Sequence, residues 1–169
     1  MKPEFWLRGP VHGVDLRLQP VAHALLQAEE DLEGVLSDLT VGQLWQAPGS
    51  AATLGFHTRH VAGAIERLLT YARGEQLTDA QRSAIALEKD PGSPPADGPA
   101  LFEVAQTSIR AALEFIQTID PEEVLSGREV GRALLPSTML GILFHIAEHT
   151  TRHVGQMITT RKIILEPNG

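Results

Sequence analysis

His145-Ile-Ala-Glu-His149-Thr-Thr-Arg-His153-Val-Gly-Gln156 places three histidines four residues apart. A step of four along an α-helix advances about 6 Å and turns about 40°, so the imidazoles form a slowly drifting stripe on one side. The stretch lies inside a segment from Pro136 to about Leu165 that reads as one long helix. At about 100° per residue, Met139, Ile142, Ile146, Met157 and Ile164 centre its apolar face. His153 falls near that centre, His149 slightly to one side and His145 at the margin, while Glu148 and Arg152 point away as an exposed i, i+4 pair. Two neighbouring histidines turned inward need a chemical reason. Neutral imidazole is the commonest transition-metal ligand, and this spacing lets two rings reach one ion.

Three further long helices precede it. The first runs from about Leu16 to Leu39: Leu18, Val21, Leu25, Leu32, Val35 and Leu36 recur at three- and four-residue spacing, and Glu29, Glu30, Asp31 and Glu33 hold the wet side. Pro20 sits in its first turn, where proline is tolerated, and His23 is read as structural or exposed. Thr40 to Ser50 reads as a loop, with Trp45 over one end of the core. Ser50 or Thr53 caps the second helix, which ends before Gly74. Leu77 to Leu87 reads as a short helix opened by Thr78-Asp79, and Asp90-Pro-Gly-Ser-Pro-Pro-Ala-Asp-Gly-Pro99 as a surface breaker. The third long helix spans about Ala100 to Ile119, and a loop with one short turn follows from Pro121 to Leu135. No alternating strand pattern is evident. The expectation is an all-α four-helix bundle with a long connection between helices 2 and 3. It forms one domain over residues 1–169, with an irregular arm at about 1–15 whose Phe5 and Trp6 dock on the body.

Composition narrows the function. A chain of 169 residues with 43% hydrophobic content can bury a sizeable core. A net charge of −7 without a dense basic patch argues against nucleic acid or an anionic membrane surface as partner. No apolar run reaches the roughly 18 residues of a membrane span, and the N-terminus lacks a secretory core, so a cytoplasmic protein is expected. Cysteine is absent, which removes thiolate metal sites and a cysteine nucleophile.

Five of the seven histidines lie in two short clusters. The second cluster, His57 and His60, is three apart on the second helix, so either can approach the same end of the bundle. Periodicity slightly favours His57 as the third ligand, because it lies closer to that helix's apolar centre. Three imidazoles leave a coordination position open for water or substrate, the arrangement of catalytic sites. Gly155 is read as a point of close approach to a neighbouring helix, and Gln156 as a residue that orients a ligand imidazole or faces solvent.

His149-Thr-Thr-Arg-His153-Val-Gly-Gln156 resembles the C-terminal motif of the DinB/YfiT-like superfamily, in which His-x-x-x-His is followed by x-Gly-Gln. Thr53-Leu-Gly-Phe-His-Thr-Arg-His60-Val-Ala-Gly resembles its second-helix motif, with a Ser/Thr cap seven residues before the first ligand. The resemblance covers nearly the whole chain. It implies a divalent transition metal, zinc or nickel, held by His60, His149 and His153. His57, His145 and Gln156 then stand as surrounding or alternative groups. The sequence departs from the family at Arg152 and Val154, which flank the last ligand. The resemblance also implies a homodimer and a small-molecule substrate, with a thiol S-transferase using a low-molecular-weight thiol as one activity. A non-catalytic metal- or small-ligand-binding bundle is the alternative.

Overall fold

A computed structural model describes residues 2–166; Met1 and residues 167–169, which the one-domain reading includes, lie outside the described residues. Four long helices carry it: α1 (Gln19–Leu36), α3 (Leu54–Ala72), α5 (Gly98–Thr118) and α6 (Met139–Leu165). Two short ones, α2 (Val41–Leu44) and α4 (Asp79–Ala84), lie in the connections.

Local chemistry sets the boundaries. α1 starts three residues later than the periodicity suggests, because Asp15 first organises a turn, accepting from the backbone of Arg17 through its side chain and of Leu18 through its carbonyl. The helix stops before Asp38, whose φ of 56° is left-handed. α2 is a single turn inside the expected loop, fixed by a capping box between Thr40 and Gln43. Thr53, not Ser50, caps α3, its Oγ1 accepting from Phe56 N at 3.0 Å. Gly74, at φ 80°, ends α3 by donating to the Tyr71 carbonyl while Glu75 N reaches Thr70 O. Thr78 and Gln81 form the capping box of α4, which tightens into a 3₁₀ turn over Ile85–Lys89. Asp97 caps α5, which begins at Gly98, two residues before the expected start.

α1 and α3 each pack on both α5 and α6, so α1 and α3 stand diagonally across a four-helix ring. Leu25, Leu32, Ile65, Ile109, Ile146 and Met157 fill the interior and are all but fully buried. Trp45 covers one end, as expected: its Nε1 donates to the Ala96 carbonyl at 2.9 Å. The ring lies so close to α3 that a Cβ on Gly55 would meet Trp45 carbons at 2.6 Å.

Four expectations need correction. The segment after α5 is a 3₁₀ turn (Pro121–Leu125) followed by an antiparallel hairpin, β1 (Gly127–Val130) on β2 (Leu135–Thr138). Pro136 and Ser137 therefore belong to β2, and Thr138 is the cap of α6. Trp6 does not dock: it is 63% exposed, whereas Phe5 N is tied to Gln27. Glu29 is buried, because Arg110 and Gln106 of α5 reach its Oε1 at 2.6 and 2.9 Å. Among the described residues, no helix is long and apolar enough to cross a membrane.

Candidate metal centre

α3 and α6 are neighbours, and their seam brings the two histidine clusters together. One ligand atom from each of His60, His149 and His153 lies within 4.8 Å of the others, a geometry that could hold a metal ion. The ring centroids are 4.7 Å apart for His60–His153, 5.1 Å for His60–His149 and 4.5 Å for His149–His153. All three side chains are half-buried. The phase reading placed His149 and His153 on an inward face. In the structure that face also includes Leu143, Ala147, Thr150 and Val154, because α6 packs on α1 as well as α3. Its centre is thereby drawn away from the histidines, which come to rest at the edge of the bundle.

His57 and His60 divide roles. His57 is the buried one, 6% exposed, as its periodicity suggests. Its Nδ1 lies 2.9 Å from His153 Nδ1, so it contacts the cluster through one of the cluster's own rings. Phe56 stacks on the His60 ring at 5.4 Å. His145 sits at the margin as expected: it is exposed, and its Nδ1 bonds Glu148 Oε1 at 2.6 Å, although its ring is 5.5 Å from that of His149. Arg152 Nη2 meets the same Glu148 oxygen at 3.5 Å. Gln156 is exposed and, among the described residues, bonds none of these rings. Gly155 makes no close approach, since a Cβ there would meet nothing within 4 Å. It borders an apolar cavity of about 400 Å³ with Phe5, Trp6, Ala24, Val154 and Ile158, on the side of α6 opposite His149.

Burial is the main force on the imidazoles. It holds His153 down to about 3 and His149 to about 4, with repulsion from the neighbouring histidines acting in the same direction. Burial also lowers His57, with repulsion from His60 second. The inward histidines are therefore neutral at physiological pH, the form that binds transition metals.

One group escapes a reading of the sequence. Glu88, in the 3₁₀ turn after α4, is buried and accepts from His60 Nδ1 at 2.7 Å. Neighbouring Ile85 and Leu87 are exposed, so no apolar periodicity marks it. A carboxylate can only accept, so Nδ1 of His60 carries the proton of this bond, which in the neutral ring leaves the lone pair on Nε2. The donors fit a divalent transition metal: three imidazoles in mutual reach, no thiolate, and a neighbouring carboxylate hydrogen-bonded to one of the rings.

The sequence profile of the DinB superfamily matches residues 24–157. Among solved structures, a conserved protein from Enterococcus faecalis superposes with a TM-score of 0.70, covering 88% of this chain and 96% of that chain at 16% identity. That likeness shows the shared fold. No protein of curated function matches. The profile spans α3 and the histidine-bearing part of α6, and the solved neighbour spans nearly the whole bundle. The chain belongs to the DinB superfamily.

Proposed function

We propose that the chain is a divalent-metal-dependent enzyme, with zinc or nickel held by His60, His149 and His153. The convergence of these three imidazoles from two packed helices carries this reading. Bound there with a position left open, the metal supplies Lewis acidity toward a water or a small thiol. The residues around it do the holding. If His153 uses Nε2 as ligand, its Nδ1–H donates to His57 Nδ1, so His57 fixes the plane of the His153 ring. Phe56 does the same for His60 by stacking. His145, Glu148 and Arg152 form a polar rim beside His149.

The reaction class we favour is transfer of a low-molecular-weight thiol to a small electrophile. The family resemblance suggests it, and the half-exposed position of the cluster gives a substrate access. Zinc-loaded and nickel-loaded protein is assayed with glutathione and an aryl halide electrophile, against a chelator-treated control. Thiol adduct formed above the control supports the reading. Full metal occupancy with no turnover of any thiol tried overturns it in favour of a non-catalytic metal- or ligand-binding bundle.

A further inference from the structure

The segment between α4 and the proline-rich breaker looks like surface. Ile85 and Leu87 are 47% and 61% exposed, yet Glu88, the next residue after Leu87, is 6% exposed. Removing a carboxylate from water is costly unless partners replace the solvent. Two groups of α3 face it: Arg67 Nη2 as an ion pair 2.8 Å from Oε1, and His60 Nδ1 as a hydrogen bond 2.7 Å from Oε2. His60 and Arg67 are seven residues apart, which returns them to one side of the helix. Gly63 lies between them, and its missing side chain makes the slot: a Cβ there would stand 2.7 Å from Glu88 Oε1 and 2.7 Å from Arg67 Nη1. The segment is also tied down from Arg59, whose guanidinium donates to the carbonyls of Leu87, Asp90 and Pro91. His60, Gly63 and Arg67 thus receive one carboxylate, brought in on a turn that is strapped to α3.

Neutralising Arg67 requires only one oxygen of Glu88. The other is spent on His60, and an acceptor at Nδ1 selects the tautomer whose Nε2 lone pair is free. We propose that Glu88 is a positioning residue for the histidine cluster: it fixes His60 as the Nδ1–H tautomer and aims Nε2 at the point shared with His149 and His153. The role in metal affinity rests on the reading above that this cluster binds a metal. The role in the tautomer does not.

The test uses the full chain at pH 8. Glu88→Leu removes the acceptor with little change of volume. The double variant Arg67→Met/Glu88→Leu removes the buried pair together, which spares the fold the cost of an orphaned guanidinium. Imidazole ¹⁵N chemical shifts of the metal-free protein report the tautomer, and chelator competition reports zinc affinity. In wild type, His60 is expected to show a pyrrole-type Nδ1 and a pyridine-type Nε2. In both variants that pattern shifts towards Nε2–H, and zinc affinity falls about 10- to 100-fold. A wild-type His60 in the Nε2–H form overturns the proposal, as does a variant that keeps both the tautomer and wild-type affinity within threefold. Wild type that binds no zinc but shows the tautomer change supports Glu88 as the tautomer-setting group and overturns the metal reading alone.

Discussion

His57 and His153 meet ring to ring, Nδ1 to Nδ1 at 2.9 Å, joining α3 to α6 beneath the candidate metal centre. Only one of the two nitrogens can carry the shared proton, so the pair fixes both rings together. His57→Phe keeps an aromatic ring in the buried slot and removes the acceptor. Metal stoichiometry should stay at that of wild type while affinity falls about 10- to 100-fold. Competition titration with a chromophoric chelator separates the two quantities. Complete loss of binding would make His57 a ligand.

The depressed imidazoles predict a pH dependence of the metal-free protein. The reference value for histidine is 6.5, and the folded chain holds His149 at about 4 and His153 at about 3. The unfolded chain therefore binds more protons over that interval, and stability must fall as pH falls through it. The contribution is fully present above about pH 6.5 and is lost progressively down to about pH 3. Urea midpoints of chelated protein from pH 7.5 to 4.5 should decline, with a shallower slope in His149→Leu/His153→Leu. Parallel slopes for the two proteins would contradict this.

Glu29 and Arg110 form the other buried carboxylate contact, between α1 and α5. The carboxylate is buried, but the Arg110 side chain is 56% exposed. The two partners should thus respond unequally. Arg110→Ala leaves a buried acceptor with only Gln106 and should cost about 1–3 kcal/mol. Glu29→Leu lets Arg110 turn to water and should cost less. Equilibrium urea unfolding ranks the two, and equal losses would argue against the asymmetry.

Gly55 is required by Trp45. Gly55→Ala drives a methyl into the indole face, where no void exists, and should cost about 1–3 kcal/mol. Tryptophan fluorescence should shift to the red as the ring is displaced from Ala96. An unshifted spectrum with unchanged stability would show that the loop yields freely.

The bundle was legible because its helices are long and one-sided. Leu18 to Leu36 and Leu101 to Ile116 repeat the helical period over several turns, and Thr53 and Gly74 punctuate the ends of α3. The hairpin was not, since Gly-Arg-Glu-Val and Leu-Pro-Ser-Thr are four residues each and one contains proline. Strands so short carry no measurable alternation. At the centre, the grouping of His149 with His153 follows from helical spacing, whereas phase alone slightly favours His57 over His60. Burial favoured His57, and the geometry that turns His60 into the cluster depends on Glu88, 28 residues away in a turn. The conjunction of His60, Gly63 and Arg67 on one helical side is the trace such a contact leaves in sequence.

The most direct test is the metal content of the protein itself. After expression with added zinc or nickel and removal of loose ions by gel filtration, elemental analysis should find about one equivalent per chain. His60→Ala, His149→Ala and His153→Ala, each folded by circular dichroism, should retain only a small fraction of it. Wild type carrying less than about a tenth of an equivalent of any transition metal would contradict a metal centre on these three histidines.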